Sequence, residues 1–470
     1  MERLSGLDAS FLYLESPAQL MHVCGLLLLD ASTVADGYSF ERLRDDLDRR
    51  SRAIPAFRRK LRRVPLDIDH PVWVEDTDFD IDRHVHRLAV PAPGGATELA
   101  DLCGHLAGIP LDRARPLWEM SVIEGLASGQ VAVFTKIHHA TVDGVSGANV
   151  LGMLCSLEPD AAPLGDGADT ADGAGSAGAR TPSDLELFGR GVLATVAKPW
   201  QAVRLVRPTT SLVARTIERA TKGIAMAAPL TAPRTAFNGT ISGRRTIAVA
   251  DLSLERIKEI KHAVDGATVN DVVLAISGGA LRRYLEAHDD LPSSSLLATV
   301  PVSVHGTSSR QGGTNKVSSL FARLGTDVAD PAERLVRLAE ANAHAKAHHR
   351  AIPAETLQEW AEFSAPRTFG LALRMVAGLR LAEKGPVIHN LVISNVPGPP
   401  VPLYFMGARI DGLYALGPIF HGAGLNVTVM SNVATMHVGL IGCRDALPDL
   451  AGLAEQFGVE LDALYDAVCG

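Results

Sequence analysis

Cysteine is scarce in this chain, and its spacing excludes two common roles. The 470 residues include five cysteines: Cys24, Cys103, Cys155, Cys443 and Cys469. No two of them form a CxxC pair, and an odd number cannot all be paired in a disulfide framework. Scattered thiols of this kind predict neither structural disulfides nor a thiolate metal site, and they are typical of a protein in the reducing cytosol.

The chain also has no excess of positive charge and no long apolar run. The formal net charge is −8, which argues against nucleic acid as a partner because phosphate binding needs a basic face. Residues 1–6 contain no basic segment followed by an apolar run, so we expect no signal peptide. No apolar stretch reaches the ~20 residues of a membrane-spanning helix, although such a protein can still lie on a membrane. We therefore predict a cytoplasmic protein.

A change of composition divides the chain into two parts. Residues 158–183 are rich in Gly, Ala, Asp and Pro and have almost no large apolar side chains. Such a segment cannot offset its ordering entropy by burial, which predicts a flexible linker. We expect an N-terminal lobe at 1–157, a basic amphipathic connecting segment at 184–235 and a C-terminal lobe at 236–470.

Both parts mix strand and helix patterns. Strands are predicted at 22–29, 71–74, 117–123, 131–137, 246–249, 297–302, 391–394, 425–430 and 436–441. Helices are predicted at 39–52, 97–106, 254–264, 268–285, 332–349 and 447–468. Because this order is too irregular for a β-α repeat, we predict an α/β (mixed α+β) protein of two lobes, with mixed sheets flanked by helices.

The pattern with the most chemical meaning follows the strand at 131–137. Residues 138–144 read HHATVDG. Neighbouring strand residues point to opposite faces, so only one of His138 and His139 can easily face a cleft, and the other should be packed and hydrogen-bonded. Asp143 suits the N-cap of a following helix, and Gly144 allows a tight turn or the close approach of a ligand.

Two other interpretations of the histidine pair stay open. Buried histidines are usually satisfied core residues, but two adjacent ones at a strand end, followed by Asp and Gly, favour a role in chemistry. A metal site is disfavoured, because neither an HExxH pattern nor a cysteine or carboxylate cluster accompanies the pair. We expect no metal and no resident cofactor.

HHxxxDG resembles the active-site signature of the chloramphenicol acetyltransferase-like acyltransferases. Four further stretches are similar to one branch, the bacterial wax ester synthase/diacylglycerol acyltransferases. They are LSGLDASFLYLE at 4–15 with MHV at 21–23, RPLWE at 115–119, VNDVVLA at 269–275 and SNVPGP at 394–399. The resemblance implies two lobes of similar fold with a tunnel between them. Acyl-CoA as co-substrate and diacylglycerol or a long-chain alcohol would meet there at His139, giving triacylglycerol or wax ester and CoA.

Acyl transfer from a thioester to a hydroxyl needs a group that takes the hydroxyl proton. Histidine can accept and return a proton near neutral pH, so we assign the role of general base to His139, with His138 beside it. The CoA thiolate is a good leaving group, so no covalent acyl-enzyme is needed. Asp143 would either orient the histidine as in a triad or, with Gly144, hold the loop. The resemblance favours the structural role for Asp143.

The remaining motifs supply the predicted substrate-binding residues: Pro116, Leu117, Trp118, Asn270, Asn395, Pro397 and Gly398. The amide of Asn270, near a helix start that Thr268 would cap, could donate to the oxyanion or a substrate hydroxyl, or could join the lobes. Trp118 is interpreted as a core or tunnel-wall residue. Pro397 and Gly398 are interpreted as part of a rigid turn near the CoA entrance.

The connecting segment predicts a lipid partner. Residues 190–234 carry eight basic side chains and one acidic one, Glu218, with apolar residues between them. This pattern suits an anionic membrane or lipid-droplet surface, or else a helix packed across the lobes. The alternatives to a lipid acyltransferase are a condensation or polyketide-associated acyltransferase and a non-catalytic lipid-surface protein. The missing carrier domain and the intact HHxxxDG count against them.

Overall fold

The computed structural model describes residues 2–141, 154–159, 186, 230–303, 317–349 and 381–470. Its strands are β1 (Glu2–Arg3), β2 (His22–Asp30), β3 (Arg59–Arg62), β4 (Val72–Glu75), β5 (Val85–Ala89), β6 (Trp118–Glu124), β7 (Val131–His138), β8 (Cys155–Ser156), β9 (Arg245–Ser253), β10 (Leu297–Ser303), β11 (Val317–Arg323), β12 (Leu391–Val396), β13 (Tyr404–Phe405), β14 (Ala408–Leu416), β15 (Leu425–Asn432) and β16 (Thr435–Cys443). Its helices are α1 (Gly6–Leu14), α2 (Phe40–Arg52), α3 (Pro55–Arg58), α4 (Ala96–Ala107), α5 (Leu254–Ala263), α6 (Val269–Ala287), α7 (Pro331–His349), α8 (Leu381–Lys384) and α9 (Leu450–Cys469).

A seven-stranded sheet forms the first lobe, in the order β5-β6-β7-β2-β14-β13-β8. Its central strand β2 has an almost continuous apolar sequence because both of its faces are covered. Leu27 and Leu29 pack on one face with Trp118, and Cys24 and Leu26 pack on the other face against residues of α4. This burial on two faces fixes the position of β7, which pairs with β2 along its whole length.

A six-stranded sheet forms the second lobe, in the order β11-β10-β12-β15-β16-β9. Alternate residues of its strands, such as Ala298, Ile393 and Val427, belong to the same buried cluster as the apolar faces of α5, α6 and α9. The pairs β10–β12 and β12–β15 are parallel, whereas the other strand pairs of this sheet are antiparallel. A smaller sheet, β1-β4-β3, lies beside the first lobe's N-terminal helix α1.

Strand β14 connects the two lobes, although it lies in the C-terminal part of the chain. It pairs with β2 in the first sheet, where Tyr414 lies opposite Leu26. It also packs on the second sheet: a Cβ added at Gly439 of β16 would lie 2.3 Å from the carbonyl oxygen of Ala415. The sheets therefore do not divide at the linker, since the second half of the chain completes the sheet of the first half.

The predicted α/β class is confirmed, and each strand and helix range given above overlaps an observed element. The sequence did not predict α1, β5, β11 or the hairpin of β13 and β14. Most of the predicted linker 158–183 and connecting segment 184–235 lies outside the described residues. None of the helices in the described part of the chain combines the length and apolarity that a bilayer crossing requires.

Candidate active site

The histidine pair lies where β7 ends and a single 3-10 turn, His139–Thr141, begins. Backbone hydrogen bonds from both sides hold this junction. The amide of His138 donates to the carbonyl of Leu117 at 2.9 Å, and the amide of His139 donates to the carbonyl of Met21 at 2.8 Å. The junction is therefore fixed by segments next to β6 and β2, which flank β7 in the sheet.

His138 is the packed member of the pair, with 1% of its surface exposed. Its Nδ1 accepts a hydrogen bond from the amide of Ala140 at 3.1 Å. An accepting Nδ1 leaves the proton of the neutral ring on Nε2. That Nε2 lies 3.7 Å from Oε1 of Glu15, the residue that follows α1. The ring is thus enclosed between the turn that it stabilises and a carboxylate.

His139 is half-buried and is covered on one side by Phe11 of α1. The two rings are stacked, with centroids 4.0 Å apart and an interplanar angle of 25°. Within the described part of the chain, the buried Nδ1 of His139 has no hydrogen-bond partner. The two adjacent histidines therefore have different environments, as strand alternation predicted.

The electrostatics of the site favour a neutral His139. The pKa of His139 is lowered to about 4, chiefly by burial and to a smaller extent by the neighbouring His138. The ring's own backbone carbonyl acts in the opposite direction but is the weaker influence. At neutral pH the ring is therefore unprotonated, which is the state that a general base needs before it accepts a proton.

The Pro-Leu-Trp motif supports the site from the core. Trp118 is fully buried, and its ring is stacked on Phe57 and His84 at centroid distances of 4.4 and 4.6 Å. Its indole nitrogen donates to the carbonyl of Phe57 at 3.0 Å. Pro116 and Leu117 are buried as well. These buried side chains position β6 and the carbonyl of Leu117, and their contact with substrate stays a prediction.

The Asn-Asp motif lies at the start of α6. Thr268 is the N-cap, as predicted, and forms a capping box with Asp271: the Asp271 amide donates to Oγ1 at 3.3 Å, and the Thr268 amide donates to Oδ2 at 2.9 Å. Asp271 also accepts from the side chain of Asn342 on α7 at 2.8 Å. Asn270 is half-buried, and within residues 2–141 and 230–303 no hydrogen bond or ring contact joins it to His139.

The late Asn-x-Pro-Gly-Pro motif lies at the end of β12 and continues into an irregular segment that packs closely on the end of β15. A Cβ at Gly398 would lie 2.0 Å from the carbonyl oxygen of Ser431, so only glycine fits this approach. The Gly398 amide donates to Oγ of Ser431 at 3.2 Å, and the carbonyl of Pro399 accepts from Asn432 at 3.0 Å. Asn395 is a half-buried residue near the end of β12, and Pro397 is exposed. The rigid turn near a CoA entrance stays a prediction.

Sequence reasoning missed three residues that surround the histidines: Phe11, Glu15 and Met21. All three fall within the N-terminal stretches that carried the family resemblance, but no periodicity had indicated α1 itself. The helix is nine residues long and is N-capped by Ser5, whose Oγ accepts from the Asp8 amide at 3.1 Å. Asp143 and Gly144 lie outside the described residues.

Comparisons with known proteins show the family of the chain. The family model of the wax ester synthase/diacylglycerol acyltransferase (WS/DGAT) catalytic domain matches residues 4–273, and that of the WS/DGAT C-terminal domain matches residues 313–465. A putative diacylglycerol O-acyltransferase of Mycobacterium tuberculosis is 45% identical over 99% of this chain and 90% of its own length. Another, from Mycobacterium bovis, is 37% identical over 98% of both chains.

A solved structure shows the same fold. The wax ester synthase/diacylglycerol acyltransferase from Marinobacter aquaeolei VT8 superposes with a TM-score of 0.69 and 30% identity, over 99% of this chain and 98% of that one. The resemblance of the HHxxxDG motif and its companions is thereby confirmed along the whole chain. This chain belongs to the wax ester synthase/diacylglycerol acyltransferase family.

Proposed function

We propose that this protein transfers the acyl group of acyl-CoA to the hydroxyl of diacylglycerol, forming triacylglycerol, with His139 as general base. The observation that carries the proposal is a neutral, half-buried histidine, fixed at the end of β7 in a chain that belongs to an acyltransferase family. The relatives described as diacylglycerol O-acyltransferases support diacylglycerol as the acceptor.

The proton transfers follow from the state of the ring. Because Nδ1 of His139 is enclosed, Nε2 is the nitrogen that receives the acceptor's hydroxyl proton as the hydroxyl oxygen bonds to the thioester carbonyl carbon. The tetrahedral intermediate then collapses, the carbon–sulfur bond breaks, and the CoA thiolate takes the proton back from Nε2. Ester and CoA leave, and the ring is neutral again without a covalent acyl-enzyme.

The negative charge on the intermediate's oxygen requires a hydrogen-bond donor. Asn270 at the start of α6 is our candidate, since helix N-termini favour negative charge and its side chain is half-buried. Its alternative role is to join the two lobes beside the capping box of Thr268 and Asp271. For Asp143 and Gly144 we propose a structural role in the loop that follows the histidines.

Long-chain alcohols are a second class of acceptor. The family is described by both activities, and so is the solved Marinobacter relative. A primary alcohol presents the same hydroxyl to His139 as diacylglycerol does, so the chemistry at the base is unchanged. We propose that the acceptor choice is set by the channel that leads the hydroxyl to the base.

We further propose that the protein contacts a membrane or lipid-droplet surface peripherally, since its acceptor partitions into lipid. The basic and apolar segment at 190–234 is the candidate contact, and a helix packed across the lobes is the alternative. Exchange of its arginines for glutamate should abolish co-flotation with anionic liposomes. Unchanged flotation would contradict the membrane contact and leave the packed helix.

The catalytic proposal is tested with purified protein, labelled palmitoyl-CoA and a panel of diacylglycerols and primary alcohols. We expect labelled triacylglycerol, and His139→Ala should lower kcat by about 10²–10⁴-fold, the usual contribution of general base catalysis. Circular dichroism and the melting temperature should show that the variant is folded. Near-normal turnover by a folded His139→Ala protein would contradict the assignment.

A further inference from the structure

Glu15 is an enclosed carboxylate directly behind the histidine pair. It follows the last residue of α1, and 9% of its side chain is exposed. Its Oε2 accepts from Nε and Nη2 of Arg113 at 3.1 and 2.5 Å. The same guanidinium donates to the carbonyl of Leu12 at 2.9 Å, so Arg113 clamps the carboxylate to the end of the helix.

The charge of Glu15 persists across the working pH range. Burial alone would raise the pKa of this carboxyl, but His138 and Arg113 outweigh that effect and lower it to about 2. The interactions of this enclosed carboxylate with Arg113 and His138 are stronger than those of an exposed ion pair, because little water screens them. Glu15 is therefore a fixed negative charge beside the ring of His138.

One connection from Glu15 to the base runs through the ring of His138. Oε1 of Glu15 faces Nε2 of His138 at 3.7 Å, which favours the tautomer with its proton on Nε2. Only that neutral tautomer leaves Nδ1 free to accept from the amide of Ala140, in the 3-10 turn of His139. The other tautomer would place an N–H group against the Ala140 N–H and break the hydrogen bond.

A second connection runs through Met21. The amide of Met21 donates to Oε1 of Glu15 at 3.2 Å, and the carbonyl of the same residue accepts from the amide of His139 at 2.8 Å. One carboxylate oxygen thus contacts both the side chain before His139 and the peptide that holds the backbone of His139. Phe11, four residues earlier, adds the stacking contact on the ring itself.

We infer that Glu15, clamped by Arg113, is a positioning residue for acyl transfer that acts on His139 through His138 and Met21. The inference rests on the proposed function for its kinetic consequence but on the hydrogen bonds alone for its structural one. Because a displacement of about 1 Å can cost on the order of 10²-fold in rate, loss of the carboxylate should lower kcat by about 10–100-fold.

The test compares Glu15→Gln with the matched control Asp76→Asn. Asp76 is a similarly enclosed carboxylate of the first lobe, 6% exposed and paired with Lys60 at 2.7 Å, but it belongs to β4's end and not to the His139 turn. We expect Glu15→Gln to lower kcat by about 10–100-fold with little change in KM for palmitoyl-CoA, as loss of transition-state positioning requires. Asp76→Asn should change stability and leave kcat unchanged.

A second readout needs no activity. Nitrogen-15 NMR of histidine-labelled protein distinguishes the two neutral tautomers, and His138→Gln identifies the signal. We expect the Nε2–H tautomer at His138 in the parent protein and in Asp76→Asn, and a population of the Nδ1–H tautomer in Glu15→Gln. This measurement stays valid if the protein proves to use a different acyl acceptor, so the two proposals fail separately.

An unchanged tautomer together with a kcat equal to that of Asp76→Asn would overturn the inference. If Glu15→Gln cannot be purified in a folded form, Arg113→Ala carries the test, because this half-exposed side chain can be removed without opening the core. Its loss should lower kcat by less than Glu15→Gln would and broaden the tautomer population. Parent-like values for both quantities would refute the role of the clamp and of the carboxylate.

Discussion

At the scale of single residues, two identical neighbours serve different purposes because their nitrogens meet different partners. His138 uses Nδ1 to stabilise the turn and presents Nε2 to Glu15. His139 has its Nδ1 enclosed and its face covered by Phe11, so Nε2 is the nitrogen that we propose meets the substrate. Because both residues are histidine, the chemical difference between them comes only from their contacts.

His138→Ala should therefore reduce stability more than His139→Ala does, and reduce turnover less. The deletion removes a buried ring, the hydrogen bond to Ala140 and the partner of Glu15, so the melting temperature should fall by several degrees. Thermal denaturation and kcat of both variants check this ranking. The reverse order in both measurements would exchange the roles of the two histidines.

The pH dependence of kcat/KM should report the unusual environment of His139. Its pKa is lowered from the ordinary 6.5 to about 4, so the ring stays neutral as the pH falls through 6.5 and becomes protonated only near 4. Activity should hold to well below pH 6 and decline towards pH 4, because a protonated ring cannot accept a proton. A decline centred near 6.5 would show that the ring is hydrated in the free enzyme.

The same pH series needs a stability control. His22 is buried and His389 is half-buried, and the pKa of each is lowered to about 4, chiefly by burial. The pKa of such a histidine is lower in the folded state than in the unfolded state, where it is about 6.5. Its contribution to the free energy of unfolding is therefore complete above pH 6.5 and is lost as the pH falls towards 4. Samples incubated at each pH should regain full activity when they are returned to neutral pH, if the decline in rate is a property of the base.

At the scale of elements, a helix cap and a close backbone approach account for motifs that the sequence suggested were catalytic. The Asp of the Asn-Asp motif closes the capping box of α6 and joins α6 to α7, and the glycine of the Pro-Gly-Pro segment allows close contact with Ser431. The Trp of the Pro-Leu-Trp motif is a core residue of the first lobe. Among the described residues, the Pro-Leu-Trp motif reaches the histidine turn through the carbonyl of Leu117, whereas the other two motifs hold elements of the second lobe.

The capping box of α6 gives a measurable prediction. Thr268→Ala removes the acceptor of the Asp271 amide and should lower the free energy of unfolding by about 0.5–2 kcal/mol, the usual effect of losing an N-cap. Thr268→Ser keeps the hydroxyl and should remain close to the parent protein. Denaturant titration of both variants measures the difference, and equal losses would mean that the methyl group, and not the cap, stabilises this helix start.

At the scale of the whole molecule, the two lobes are tied together by β14. This strand pairs with β2 in the first sheet and lies against β15 and β16 of the second. Its side chains contribute to the buried clusters on both faces of the first sheet, with Leu413 on one and Leu416 on the other. The first sheet is incomplete without β14, which comes from the C-terminal part of the chain and packs on the second sheet. The two lobes should therefore fold and unfold as one unit.

We therefore expect one calorimetric unfolding transition for the full chain. Gly439→Ala places a methyl group against the carbonyl of Ala415, and this overpacking should lower the free energy of unfolding by about 1–3 kcal/mol. The temperature of the single transition should fall accordingly. Gly458→Ala is the matched control, because a Cβ there meets nothing within 4 Å and alanine favours the helix α9. Two separate transitions, or an effect of Gly439→Ala on only one of them, would contradict the shared fold.

Most of the longer elements, and the family, could be predicted from the order of residues alone. Periodic apolar residues predicted the strands on either side of the site and the helices of the second lobe, because 2.0- and 3.6-residue periods are local properties of the chain. HHxxxDG and its companion motifs indicated the acyltransferase family, which the comparisons confirm. They also gave His139 as the base, which stays a prediction until turnover is measured.

Which side chains surround that base depends on how the chain folds in three dimensions. Glu15, Met21 and Phe11 lie more than a hundred residues before His139 in the chain, and they meet it because β2 pairs with β7 and α1 packs on the turn. The placement of β14 in the first sheet likewise depends on pairing across the linker. Such contacts arise when distant segments bury a common surface, and no local pattern of residues records which segments will meet.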